Sequence, residues 1–408
     1  MDYDQILSNS VCKINSGRRG GRTLFQSKIV RTKEQKRQIF NNNEHDQLGS
    51  RAKRQVLRKD AAVNSTWTNG VYTFNTSHNA VKNLFKMGAK IWNDATCVDF
   101  LEDRDAQDKV VVVVDSVSYA DVGRLGGDQP LSVAERQATV GSAVHEIGHI
   151  LGLFHTMSRY DRDDYITINE YNVDVGCFEN EFEILQEDCI DVYGLTYDYG
   201  SIMHYGELSF SSNQRPTIVA EDPHYQKTMG SQLISFSDIY MINEHYGCNQ
   251  KCNKSTSAKC VNEGYPHPRN CSRCICPGGY GGTLCDRRPP GCGEDLTATN
   301  VNQTVFYRLG FGSGFRSLFD FCNYMISAPR GKKIEVEVQP ISSVYNIPGC
   351  GRGGVEVKAQ EDQKLTGYRF CTSRGNGIPI VSNSNRLPVI VFNRFGTMNG
   401  AFTYRFIN

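Results

Sequence analysis

The sequence predicts an α+β domain with a metal site on one helix, followed by a small disulfide-stapled module and an all-β sandwich. Three observations carry this. The run His145-Glu-Ile-Gly-His149-Ile-Leu-Gly152-Leu-Phe-His155 sets metal-ligand residue types at a spacing that one ion can use. Six cysteines crowd residues 252–285 among Gly and Pro. Residues 292–408 return to strand-like patterns and carry four further cysteines.

Residues 1–54 are polar and basic, with Arg18-Arg19, Arg22, Lys28, Arg31, Lys33 and Lys36-Arg37 and little apolar periodicity. They end at Arg51-Ala-Lys-Arg54, a basic site of the kind processing proteases cut, just before a globular segment that starts near Trp67. They read as a pro-segment, and maturation there would remove Cys12, the odd cysteine of 15.

Residues 55–249 mix helical and strand patterns. Val71-Tyr-Thr-Phe74 is a short strand, and Asn79–Asn93 sets Val81, Leu84, Met87, Ala89 and Trp92 at helical spacing. Lys109-Val-Val-Val-Val-Val-Asp115 is β-branched and continuous, the composition of a buried strand. Ser132 as N-cap with Glu135 at the capping-box position predicts the start of the metal helix. That helix then buries Val140, Ala143, Val144, Ile147, Ile150 and Leu151, and after His155 the chain turns irregular and polar. The module spanning 251–286 is too short for a core of its own and needs covalent staples. Asp286-Arg-Arg-Pro-Pro-Gly291 is a linker; beyond it, over residues 292–408, the alternating Lys333–Val338 and the apolar Val389–Phe392 predict the sandwich.

At 408 residues the chain holds more than one domain, and its net charge of +1 carries no strong nucleic-acid or membrane-surface signal. The cysteine content points to disulfides formed in an oxidising compartment. Sequons at Asn64, Asn75, Asn253, Asn270 and Asn302 are compatible with secretion. No apolar run approaches the roughly 20 residues of a membrane span. MDYDQILSNSVCKINSG has no apolar core and does not read as a signal peptide, so the true start is expected upstream.

The histidine run carries the chemistry. Two histidines four apart lie on one helical face, so both imidazoles reach one ion. Glu146 beside them can hold and deprotonate a water in the ion's open position. His155 cannot join on a continuous helix. Ten residues of helix rise roughly 15 Å, whereas two ligands of one zinc lie within about 4 Å of each other. The helix must stop and the chain fold back, and Gly152 suits that stop. Three neutral imidazoles with one open position mark a catalytic zinc site, not a closed structural one.

From about Asn64 to its end the chain resembles the astacin family of zinc endopeptidases, a metzincin group. Beyond the histidines, the resemblance rests on Ser158-Arg-Tyr-Asp-Arg-Asp-Asp-Tyr165-Ile-Thr-Ile and on Tyr199-Gly-Ser-Ile-Met203-His-Tyr205. It implies a metzincin-type catalytic domain, with a twisted sheet plus the zinc helix and Met203 beneath the zinc. Tyr205 would be an additional, switchable ligand. Residues 251–286 look like an EGF-like domain, implying Cys252–Cys271, Cys260–Cys274 and Cys276–Cys285, although sequence alone allows 15 connectivities. Residues 292–408 look like a CUB domain, implying Cys292–Cys322 and Cys350–Cys371. Cys97 and Cys248 match the family's long-range bridge.

The chain also departs from the family. Thr156 stands where the family has a glutamate that binds the mature N-terminus. The second family bridge is missing near Ser118 and Gln137, and Cys177 and Cys189 are expected to pair instead. The inhibitory FxGD motif is absent, Asp46 being the nearest candidate to block the zinc, with Cys12 a further one.

The expected function is that of a secreted endopeptidase with one zinc per catalytic domain, held by His145, His149 and His155. Glu146 activates the zinc-bound water and then protonates the leaving amine; by the resemblance, Tyr205 swings off to hydrogen-bond the oxyanion. A peptide would lie extended along an edge strand near Gly123-Arg-Leu-Gly-Gly127, whose glycines read as turn residues. Expected partners are protein substrates of the extracellular matrix or cuticle type, with no nucleic acid. The alternative is a catalytically inactive extracellular binding protein acting through its CUB and EGF modules. Glu146 argues against that alternative, because zinc binding needs only the histidines, whereas Thr156 argues for it. A non-peptide hydrolase has no supporting motif, and a nuclease lacks a basic stripe.

Overall fold

The computed structural model describes residues 23–25, 29–31, 55–57 and 65–408, apart from 136–137, 188–189, 343–345 and 373–376. Cys12, Asp46, Arg51–Arg54, Asn64, Gln137 and Cys189 lie outside the described residues. The chain forms two compact units. The first runs to Tyr197 and takes in Ile202–Glu221 and Asp238–Cys248. The second comprises Asp198–Ser201, Asp222–Ser237 and Asn249–Asn408.

The first unit is built on a seven-stranded sheet of β1 (Thr23–Phe25), β2 (Ile29–Arg31), β4 (Gly70–Phe74), β5 (Phe100–Glu102), β6 (Lys109–Val113), β7 (Tyr119–Asp121) and β8 (Asp128–Ser132), in the order β1-β2-β7-β8-β6-β4-β5. The valine run becomes β6, paired on both sides by β4 and β8. Its burial alternates instead of being continuous, with Val110 and Val112 facing the core. β3 (Val56–Leu57) lies apart from this sheet and pairs with β10 (Ile190–Asp191), while β9 (Ile166–Ile168) pairs with β11 (Ile218–Ala220). β1 and β2 come from the segment with little apolar periodicity. Strands of three residues need only backbone partners, and β2 finds them in a parallel pairing with β7.

Two helices pack with this sheet, α1 (Asn79–Ala95) and α2 (Val140–Ile150). The buried stripe of α1 is Val81, Phe85, Gly88, Ala89 and Trp92, a truer 3.6-residue period than the expected one. Leu84 and Met87 are only half-buried. Gly88 lets the helices approach closely, since a Cβ there would lie 3.1 Å from the Ala143 Cβ. Trp92 Nε1 donates to Val144 O at 2.9 Å across the same contact.

Ser132 does not cap α2. It ends β8, where it pairs with both β6 and β7, and its hydroxyl donates to Val117 O. Thr139 is the N-cap, its Oγ1 accepting from the Ser142 N–H at 3.0 Å. Two-sided strand pairing outweighs a local capping signal worth about 1 kcal/mol. The glycines of Gly123-Arg-Leu-Gly-Gly127 turn the chain between β7 and β8, with Gly123, Gly126 and Gly127 at positive φ. Cys97–Cys248 closes the unit.

The second unit opens with three disulfides, Cys252–Cys271, Cys260–Cys274 and Cys276–Cys285, around a hairpin of β12 (Tyr265–His267) and β13 (Asn270–Ile275). Beyond it, β14 (Asp295–Thr297), β15 (Gln303–Ser327), β16 (Lys333–Val338), β17 (Gly353–Val357), β18 (Tyr368–Phe370), β19 (Ile380–Val381) and β20 (Arg386–Ile407) form one hydrogen-bonded sheet, stapled by Cys292–Cys322 and Cys350–Cys371. The register of β15 against β20 shifts between Gly310 and Asp320, and both halves of each strand feed one core that includes Val305, Tyr324, Val391 and Phe402. Asn75, Asn253, Asn270 and Asn302 are exposed, as sequons require.

β17 and β18 carry a buried ion pair. Arg369 Nε donates to Glu356 Oε2 at 2.9 Å with side-chain exposures of 4% and 8%, and Arg369 Nη1 donates to Ser231 Oγ. Glu356→Ala would strand a buried guanidinium and is expected to lower unfolding free energy by about 3–5 kcal/mol. Glu356→Gln, which keeps an acceptor, should cost less. Urea unfolding of the full chain followed by circular dichroism measures both, and an unchanged midpoint for Glu356→Ala would show that the pair contributes nothing net.

Candidate metal centre

The site begins with the way α2 ends. Leu151 is the last residue near helical conformation and Gly152 takes φ +110°. Gly152 N–H donates to His149 O at 2.8 Å and Leu153 N–H to Gly148 O at 2.9 Å, the paired bonds of a Schellman stop. The chain reverses and brings His155 back over the helix, and a turn of 3₁₀ helix at Thr156–Ser158 follows.

His145, His149 and His155, all buried, converge with ligand atoms within 4.8 Å of one another. The Nε2 atoms of His145 and His149 are 3.1 Å apart, and those of His145 and His155 are 3.3 Å apart. The other ring nitrogens explain the geometry. His145 Nδ1 lies 2.7 Å from Ile202 O and His149 Nδ1 lies 2.8 Å from Leu153 O. A carbonyl oxygen only accepts, so each Nδ1 carries the proton and each Nε2 presents a lone pair to the centre. Bare lone pairs at that separation repel unless a cation lies between them. Nitrogens bound tetrahedrally to one zinc at about 2.0–2.1 Å stand about 3.3 Å apart. The donor set fits zinc in spacing and, at His145 and His149, in tautomer.

Glu146 is 1% exposed on the same helix. Beneath the helix lies Met203, fully buried, its sulfur 2.8 Å from where a Cβ on Gly148 would stand, so only glycine admits it there. Tyr205 packs its ring 4.5 Å from that of His155, and its hydroxyl donates to Glu181 Oε2 at 3.3 Å. His204, between them, donates Nδ1–H to Tyr205 O and accepts from the Tyr197 hydroxyl. Burial keeps that imidazole neutral and pushes its pKa down to about 4.

The structure thus brings all five site residues expected from sequence into one region. It adds three that sequence reasoning missed. Glu181 sits on the short helix α3 (Phe178–Glu181) in a run without a distinguishing pattern. Asp238 accepts from the Ile202 N–H at 2.9 Å, behind the carbonyl that orients His145. Gln55 donates from Nε2 to Thr156 Oγ1 at 3.0 Å; its position directly after the basic site was the one available hint. Cys177 is disulfide-bonded, and its expected pairing with Cys189 lies outside the described residues.

A helix stopped at a left-handed glycine, a third imidazole folded back onto two others and a buried methionine turn below them define a metzincin-type zinc centre. Residues 59–247 match the peptidase family described as astacin. Zinc metalloproteinase nas-31 of Caenorhabditis elegans is 41% identical over 94% of this chain and 63% of its own length. Zinc metalloproteinase nas-25 of the same organism is 32% identical over 89% of this chain and 93% of its own. A solved structure of high choriolytic enzyme 1, a hatching enzyme zinc-protease from Oryzias latipes, is 27% identical with a TM-score of 0.43, covering 47% of this chain and 98% of its own. The chain belongs to the astacin family, whose metal is zinc. It spans 63% of the length of nas-31 and 58% of that of zinc metalloproteinase nas-32.

Alanine at His145, His149 or His155 is expected to bring the zinc content of the purified chain to near zero by elemental analysis, while Glu146→Ala keeps one zinc per chain. Gly152→Ala forces a Cβ onto φ +110°. It should destabilise the protein by about 1–3 kcal/mol and weaken zinc retention. Full retention in a histidine variant would break the assignment of that ligand.

Proposed function

We propose that the chain is a secreted zinc endopeptidase acting on extracellular proteins, with Glu146 as general base and acid. The observation that carries this is the meeting of three Nε2 atoms beside a buried glutamate in a chain of the astacin family. A closed structural site would need a fourth protein ligand, and no further His, Cys, Asp or Glu joins this group among the described residues. When bound, zinc supplies Lewis acidity to the scissile carbonyl and lowers the pKa of a water.

The side chains do the rest. The His145 and His149 imidazoles are held in the right tautomer by backbone carbonyls, so this part of the site is set before substrate arrives. The Glu146 carboxylate, desolvated by burial, takes a proton from the attacking water and hands it to the leaving amine. Tyr205 rests its hydroxyl on Glu181 beside His155, from where a side-chain rotation offers that O–H to the developing oxyanion.

Residues 1–54 are proposed as a pro-segment, 55–249 as the peptidase domain, and the modules at 251–286 and 292–408 as EGF-like and CUB domains that position it. Sheet order supports the first of these. Without β1 and β2, the strand β7 would be the edge of the sheet, its backbone open to an extended peptide. Four exposed sequons and the disulfides support an extracellular setting, and no helix among the described residues is long and apolar enough to cross a membrane. Matrix or cuticle proteins are the proposed substrate class.

The test is hydrolysis of a random peptide library by the chain cut after Arg54, beside Glu146→Ala with zinc counted in both. Cleavage by the parent alone is expected, with the loss in the variant exceeding about 10²-fold. Zinc-loaded parent that cleaves nothing would turn the reading to an inactive binding protein working through its C-terminal modules.

A further inference from the structure

Gln55 takes no part in the hydrolytic scheme, yet it is 1% exposed, and a buried amide is costly unless both its ends are satisfied. Both are. Nε2 donates to Thr156 Oγ1 at 3.0 Å, and Oε1 accepts from Arg159 Nη1 at 3.5 Å. A guanidinium can only donate, so the orientation of the amide follows from the contact with Arg159. Arg159 is itself buried and anchored on Asp161 by Nε at 2.8 Å and Nη2 at 2.7 Å.

The backbone around Gln55 grips the same stretch. Phe154 N–H donates to Gln55 O at 3.5 Å, and Val56 bridges Leu153 in antiparallel fashion. Thr156 N–H, in turn, donates to Met203 O at 3.1 Å. His155 therefore sits between two residues that are both bonded to Gln55, one through its carbonyl and one through its side chain. The first residue beyond the basic run Arg51–Arg54 is joined through Thr156 to the methionine turn.

We propose that Gln55 is a positioning residue of the metal centre, a clasp that holds the chain on both sides of His155 and fixes the third imidazole. The contact is a neutral amide–hydroxyl bond, so Thr156 is a working partner in this chain. The clasp deepens the peptidase reading above by naming what positions its third ligand.

The test uses Gln55→Ala, Gln55→Met, Thr156→Val and Thr156→Ser in the full chain, with thermal unfolding to select folded variants. Zinc release to a chelator is measured first, then kcat and KM after cleavage at Arg54. Gln55→Met and Thr156→Val, which keep the volume and lose the bond, should release zinc about tenfold faster and lower kcat about tenfold at unchanged KM. Thr156→Ser keeps the hydroxyl and should behave as the parent. The double variant Gln55→Met/Thr156→Val should be no worse than either single. Parental zinc release and kcat in Gln55→Met and Thr156→Val would overturn the clasp, as would equal damage from Ser and Val at 156. A parent that holds zinc and hydrolyses nothing would sink the peptidase reading instead, and zinc release would still decide the clasp.

Discussion

Three lone pairs aimed at one point are the constraint on which the rest of the first unit depends. Imidazole nitrogens 3.1–3.3 Å apart in a buried setting repel one another unless they share a cation, so the polypeptide must hold them there by other means. Two come from successive turns of α2 at no conformational cost. The third requires the helix to end within three residues of His149, and a left-handed residue is the shortest way to end it. Gly152 supplies that conformation, and a Cβ there would already be at 3.4 Å from Val56. One backbone angle thus decides both where the helix stops and where His155 arrives.

Around this point backbone carbonyls orient two of the three ligands. His145 is aimed by Ile202 O and His149 by Leu153 O, each on a stretch placed by another contact: Ile202 by Asp238, Leu153 by Val56. The small residues Gly148 and Gly88 have a matching role. Each lets a partner come closer than a side chain would permit, Met203 beneath α2 in one case and Ala143 against α1 in the other.

The second unit solves a different problem. Its stretch between Cys252 and Cys285 has only a small buried cluster around Cys274, Tyr280 and Cys285 and is held by three disulfides, whereas the long strands β15 and β20 bury a large core. Within it, Lys358 is buried with its Nζ donating to Gln363 O and Leu365 O, and burial pushes its pKa down. With the Glu356–Arg369 pair, this makes β17, β18 and the loop between them a polar network in which the buried Glu356, Lys358 and Arg369 each have named partners.

Much of this was legible in the chain. The histidine spacing alone required a helix, a stop and a return, because 3.6-residue periodicity and metal–ligand distances leave no other path, and Gly152 could be named in advance. The valine run and the cysteine clusters marked a central strand and a stapled module for equally local reasons. What tertiary structure decided lay in long-range partners. Ser132 had the chemistry of a cap but was drawn into β8 by pairing on both sides; residues 29–31 lie in a segment with little apolar periodicity but found a backbone edge in β7. Phe85 replaced Leu84 in the core because the neighbouring helix fixes which stripe is covered. Glu181, Asp238 and Gln55 carry no signature because each acts across a distance of sequence that only the fold closes, Gln55 and Thr156 being 101 residues apart. Ligand identity is written in local periodicity, which the sequence by itself determined; ligand orientation depends on carbonyls and side chains from elsewhere in the chain, which only packing could supply.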